Sequence, residues 1–209
     1  MKPFLPVVTL MCVLTLIGMA AGLAPLTDAS AAPLTFVGNL SGANEIPPTA
    51  STGSGQTTVV LDPVANTLQV NVSFTGLVAP SSAAHIHCCL SSPFALANVG
   101  VATTLPAFAG FPLNVTSGTY SSPIFDLTQA PIYNPAFVTA QGGLPQAEAA
   151  LEGAIQNGET YLNVHSSMFP NGEIRDFLRP IPEPTSFVLL VSGLIGFGLM
   201  PLRRFMARS

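Results

Sequence analysis

The chain has 209 residues, of which 8% are charged, 48% are hydrophobic and none is tryptophan, with a net charge of −4. Between its two apolar ends, residues 32–180 carry eight carboxylates against Arg175 and Arg179 and no lysine, a net charge of −6. That balance repels phosphate backbones and argues against a nucleic-acid partner, while about 150 residues suffice for one domain with its own core.

Lys2 supplies a single positive charge, residues 7–21 are almost uninterrupted apolar sequence, and Ala29-Ser30-Ala31 has the small-x-small pattern read by signal peptidase. Residues 1–31 are therefore expected to be a signal peptide cut after Ala31. Cys12 follows Met11 within the apolar run, where a lipid-anchor site needs a small residue, so it is read as a passenger.

Residues 34–40 alternate weakly and read as a first strand, after which Pro47 and Pro48 end any ladder because proline cannot donate to one. Residues 56–61 form a β-branched strand closed by Asp62 and Pro63. The clearest strand follows: Leu68, Val70, Val72 and Phe74 alternate with Gln69, Asn71, Ser73 and Thr75, the period-2 signature of a half-buried sheet. The turn residues between the two make them a hairpin. Residues 83–89 are expected to be a strand, 99–115 an irregular excursion punctuated by Pro and Gly, and 119–127 a further strand. Around Pro145 the period changes: Leu144, Ala147, Leu151 and Ile155 share one helical face, with Pro145 in the first turn and Gly158 at the stop. Strands over 161–165 and 173–179, separated by Gly172, complete the body. At least six short strands and one inserted short helix predict a mainly β fold, an antiparallel β-sandwich or small barrel of immunoglobulin-like or superoxide-dismutase-like type, with apolar helices at both chain ends.

The end of the chain reads as an address. Pro182-Glu183-Pro184 precedes an apolar run over 187–200, and Arg203, Arg204 and Arg208 follow it. The run approaches the ~20 residues of a membrane span, and the arginines are expected to hold the far end on the cytoplasmic side. This order of parts resembles the PEP-CTERM sorting signal, covering residues 181–209. The resemblance implies a Gram-negative host, transient membrane anchoring, and cleavage by a membrane transpeptidase-like enzyme of the exosortase class. Release then places the body in the cell envelope or in an extracellular, biofilm-type matrix, with exopolysaccharide or envelope proteins as partners.

Three segments carry a second resemblance: Leu40-Ser41-Gly42-Ala43-Asn44-Glu45-Ile46-Pro47-Pro48, then Ala84-His85-Ile86-His87, then Tyr161-Leu162-Asn163-Val164-His165 running into Pro170-Asn171-Gly172-Glu173-Ile174-Arg175. Together they resemble the CHRD domain, named from repeats of the animal protein chordin, across the whole of residues 32–180. The resemblance implies a secreted module with no established chemical activity. One residue departs from the pattern: Asp176 stands where the family usually has a small residue.

All three histidines fall in these motifs. His85 and His87 are two apart on an expected strand and so share a face. With His165 on a second strand they form a candidate copper or zinc site open at one position. The alternative is three histidines that bond loop backbone at a rim. Cys88 and Cys89 leave open a vicinal disulfide, an intermolecular bridge or thiolate ligands, with Cys89 on the histidine face if the strand continues. No catalytic constellation is found. Ser166, Ser167 and Glu173 lack a nucleophile elbow, Glu45 and Glu173 are paired carboxylates in count only, and Glu173 and Arg175, alternating on the last strand, are expected to pair across the sheet rather than catalyse. Two functions remain: a structural or interaction protein of the envelope or matrix with no cofactor, or a secreted metal-binding module, redox-active if the metal is copper.

Overall fold

A computed structural model of the chain describes residues 32–181. The expected signal peptide, Cys12, Pro182, Glu183, Pro184, Arg203 and Arg204 lie outside these residues, as do the apolar helices expected at both ends. Among the described residues no helix is long and apolar enough to cross a membrane.

Among the described residues nine strands form one sheet: β1 Leu34–Ser41, β2 Ser54–Asp62, β3 Thr67–Thr75, β4 Ser81–His87, β5 Gly118–Ser121, β6 Phe125–Asp126, β7 Tyr161–Ser166, β8 Ile174–Phe177 and β9 Arg179–Pro180. Their order is β4-β7-β8-β1-β2-β3-β5, with β6 also on β3 and β9 also on β1, and every pair is antiparallel. The sheet curls into a half-barrel. The mainly β, antiparallel fold is as expected; in place of a sandwich or small barrel with one inserted helix there is this curled sheet with two helices packed into its core, α1 Pro135–Gln141 and α2 Leu144–Gln156.

The β2–β3 hairpin forms as its alternation requires. Leu61 faces Leu68, Val59 faces Val70 and Thr57 faces Val72, and Leu68, Val70, Val72 and Phe74 are all buried. Helix α2 starts at Leu144 with Pro145 in its first turn, and Ala147, Leu151 and Ile155 enter the core. Helix α1 has no counterpart in the sequence reading. At seven residues it is too short to show a period, yet Asn134 caps it by accepting from Ala136 N at 3.0 Å, Pro135 occupies its first turn, and Gly142 ends it at φ +92°. The strand expected over 119–127 is two pieces, β5 and β6, because Pro123 lies between them.

Asp176 has a specific task. The ladder between β1 and its neighbours β8 and β9 has bridges at Ser41–Arg175 and Val37–Arg179. Between them, Asp176 Oδ2 accepts from Asn39 N at 2.8 Å and Oδ1 accepts from Phe177 N at 2.8 Å. The carboxylate stands in for a ladder carbonyl, so the backbone donors of Asn39 and Phe177 keep a partner where the strands diverge.

Candidate metal centre

Strand parity sends alternate residues of β4, β7 and β8 to opposite faces. Ala84, Ile86, Leu162, Val164 and Ile174 go into the core. On the other face, His85 lies beside Asn163 and Asn163 beside Arg175, while His87 lies beside Tyr161 and Tyr161 beside Phe177. His165, opposite Ala83, is diagonal to His85. A polar sheet face normally meets water, but this one is covered: His85, His87 and His165 are 3%, 8% and 7% exposed, and Arg175 is 1% exposed.

The structure brings all three predicted histidines together. One ligating atom from each lies within 4.8 Å of the other two, so a point within about 2.8 Å of all three exists (4.8/√3). Nitrogen–metal bonds near 2.0–2.1 Å in tetrahedral geometry separate ligand atoms by about 3.4 Å; side-chain closure of roughly 1 Å suffices. His85 rings pack edge-on to His87 at 4.8 Å and to His165 at 4.6 Å between centroids.

Backbone carbonyls fix two of the rings. His87 Nδ1 lies 2.7 Å from Val99 O, and His165 Nδ1 lies 2.9 Å from Pro170 O. A carbonyl only accepts, so each Nδ1 carries the proton and each Nε2 presents a lone pair. Those Nε2 atoms, together with His85 Nδ1, are buried and have no protein partner. A backbone carbonyl that sets the tautomer of a histidine whose other nitrogen is free is the arrangement metal-ligating histidines have. This donor set fits copper or zinc; magnesium and calcium require oxygens.

The electrostatics keep the ligands neutral. Burial pulls His85 down to about 2, helped by the neighbouring His165 and His87. Burial also pulls His87 down to about 4 against the opposing Val99 hydrogen bond, and it lowers His165 against the pull of Pro170. Nearby, burial pushes the Glu45 carboxyl up to about 7, although Arg175 and Asn163 act the other way.

The other sequence candidates are placed elsewhere. Cys88 and Cys89 are bonded to each other; β4 ends at His87, and the two sulfurs lie 4.0 and 3.8 Å from Ala150 O on α2, not among the histidines. Glu173 and Arg175 take separate partners, loop groups rather than cross-strand charges. Glu173 Oε1 accepts from Ser51 Oγ and Val78 N, each at 2.6 Å, and Arg175 donates from Nε to Asn44 O and from Nη1 to Asn98 Oδ1, each at 2.7 Å.

Sequence reasoning missed Asn163 and Tyr161 as neighbours of the histidines, although their parity with His165 shows it. It also missed Val99 and Pro170, whose carbonyls carry no signal in a sequence. Gly172 has a reason of its own: at φ +125°, a Cβ there would come within 2.5 Å of Asn163 Nδ2 and 2.7 Å of Glu45 Oε1.

Comparison with known proteins gives one family. The CHRD domain matches residues 36–178, a span that contains every histidine of the cluster. No curated protein and no solved structure matches the chain.

Proposed function

The chain belongs to the CHRD domain family, and from that premise we propose an exported module that holds copper or zinc at His85, His87 and His165. One observation carries this reading: each of three buried histidines offers a ring nitrogen within 4.8 Å of the other two, each has a buried nitrogen without a protein partner, and carbonyls at Val99 and Pro170 set two of the tautomers. Bound there, copper or zinc supplies a Lewis acid, and copper also a one-electron couple. The chain's own residues supply the neutral donor set, the fixed ring orientations and exclusion of water by the covering loops. The test is metal analysis of the protein recovered from its native export route, followed by titration of the metal-free protein. Roughly one equivalent of copper or zinc supports the reading. Neither metal above background at neutral pH refutes it.

Residues 1–31 and 181–209 support the address: export through a signal peptide, transient anchoring, and PEP-CTERM sorting by an exosortase-type enzyme into the envelope or matrix. A structural role in that matrix is the second reading, favoured by one row of the sheet. Asn39, Gln56, Ser73 and Thr119 stand side by side across β1, β2, β3 and β5, all exposed. This uncharged array of amides and hydroxyls suits hydrogen bonding to neutral polysaccharide. Binding of the exported protein to its own matrix, unaffected by metal removal, is the result this second reading expects.

A further inference from the structure

Around His87 the histidine face is held by groups that ligate nothing. The Tyr161 ring lies stacked on the His87 imidazole, with 4.5 Å between centroids and 10° between planes. On the same ring the Arg175 guanidinium carbon stands 4.3 Å from the centroid. The chain at 97–100 runs over this assembly as a strap. Its Val99 carbonyl accepts from His87 Nδ1, its Val99 N–H donates to Tyr161 Oη at 3.2 Å, and its Asn98 side chain accepts from Arg175 Nη1 at 2.7 Å. Asn98 Nδ2 in turn donates to Ile46 O at 2.7 Å. Arginine suits this place because one planar fork donates to the Asn44 carbonyl and to Asn98 while its face lies on the aromatic ring.

Resting on the metal reading above, we propose that Tyr161, Arg175 and Asn98 are positioning residues of the centre: the stacked ring sets the plane of His87, and the fastened strap sets its tautomer so that Nε2 meets the metal. Loss of the stack lets the imidazole turn about its side-chain bonds. Loss of the fastening moves the Val99 carbonyl and frees Nδ1 to compete as donor. Outer partners of this kind govern metal affinity by about 10–100-fold.

Three variants of the full chain test this. Tyr161→Phe keeps the ring and removes the hydroxyl; Tyr161→Leu removes the ring; Asn98→Ala unfastens the strap at an exposed position, which protects the fold. Affinity for copper(II) and zinc(II) is read by chelator competition, the ligand field by electron paramagnetic resonance of the copper(II) form, and the His87 tautomer by nitrogen-15 spectra of the metal-free protein. Tyr161→Phe, which keeps the stack but loses the strap's bond from Val99 N–H, is expected to fall between the parent and Tyr161→Leu in affinity. Tyr161→Leu and Asn98→Ala are expected to bind about 10-fold or more weakly, with altered copper spectra, and Asn98→Ala to show a mixed His87 tautomer at an unchanged melting temperature. Parental affinity, spectrum and tautomer in both Tyr161→Leu and Asn98→Ala overturn the inference while leaving the metal site standing. A parent that binds neither metal removes the metal reading itself and this inference with it.

Discussion

Three imidazoles that each lose a proton on burial make the protein acid-labile in a defined window. Their folded values lie below the ordinary ~6.5, at about 2 for His85, about 4 for His87 and lowered for His165. The unfolded chain therefore binds more protons than the folded one once pH drops beneath ~6.5, and stability that is complete above that value declines toward the folded values. Glu45 works in the opposite sense. Its carboxyl, raised to about 7 from 4.5, is protonated first in the folded state, so it adds stability as pH falls from about 7. Three groups outweigh one: denaturant unfolding of the metal-free protein should show a loss on the order of 3 kcal/mol between pH 7.5 and 5. A flat profile would mean the histidines are solvated. Each of His85→Ala, His87→Ala and His165→Ala should lower copper or zinc affinity at least 10-fold, measured by chelator competition. Gly172→Ala forces a Cβ onto Asn163 and Glu45 at a positive φ, and should cost about 2 kcal/mol or more by thermal melting.

At the scale of strands and helices, period was readable and closure was not. The run from Leu68 to Phe74 disclosed its buried face because alternation is a local property. Val70→Asp should accordingly bury an unpaired charge at a fully buried position and cost several kcal/mol; melting together with the parent would refute the register. The same alternation is compatible with a second sheet, a closed barrel or a curled sheet filled by helices, since all three bury one face. Helix α1 escaped notice because seven residues give fewer than two turns, although Asn134-Pro135 and Gly142 marked its ends. The His85–His87 pair was legible from spacing, and its meeting with His165 followed only once β4 and β7 were known to be neighbours. The proton acceptors at Val99 and Pro170 were not legible, because every residue has a carbonyl and only the folded path aims these two.

For the whole molecule, the acidic, lysine-free body and its two apolar ends separate what the protein is from where it goes. The sorting proposal expects Pro182-Glu183-Pro184 to direct cleavage and Arg203, Arg204 and Arg208 to hold the chain until then. Replacing the tripeptide by alanines and the three arginines by neutral residues should leave an uncleaved, mislocated protein on fractionation and immunoblotting. Unchanged size and location would remove the sorting signal from the account.

The pairing of β4 with β7 also sets an order of events. His87 and His165 are neighbours in space through strands that more than 70 residues of chain separate, and such distant pairings form late because the intervening loop must first be closed. No segment of the unfolded chain offers more than the His85–His87 pair. If the chain is exported unfolded and binds a metal, as proposed, it would arrive without that metal. On the export and metal proposals, loading belongs to the far side of that membrane, after β4 and β7 have paired, and the ion would then clasp two strands that more than 70 residues of chain separate.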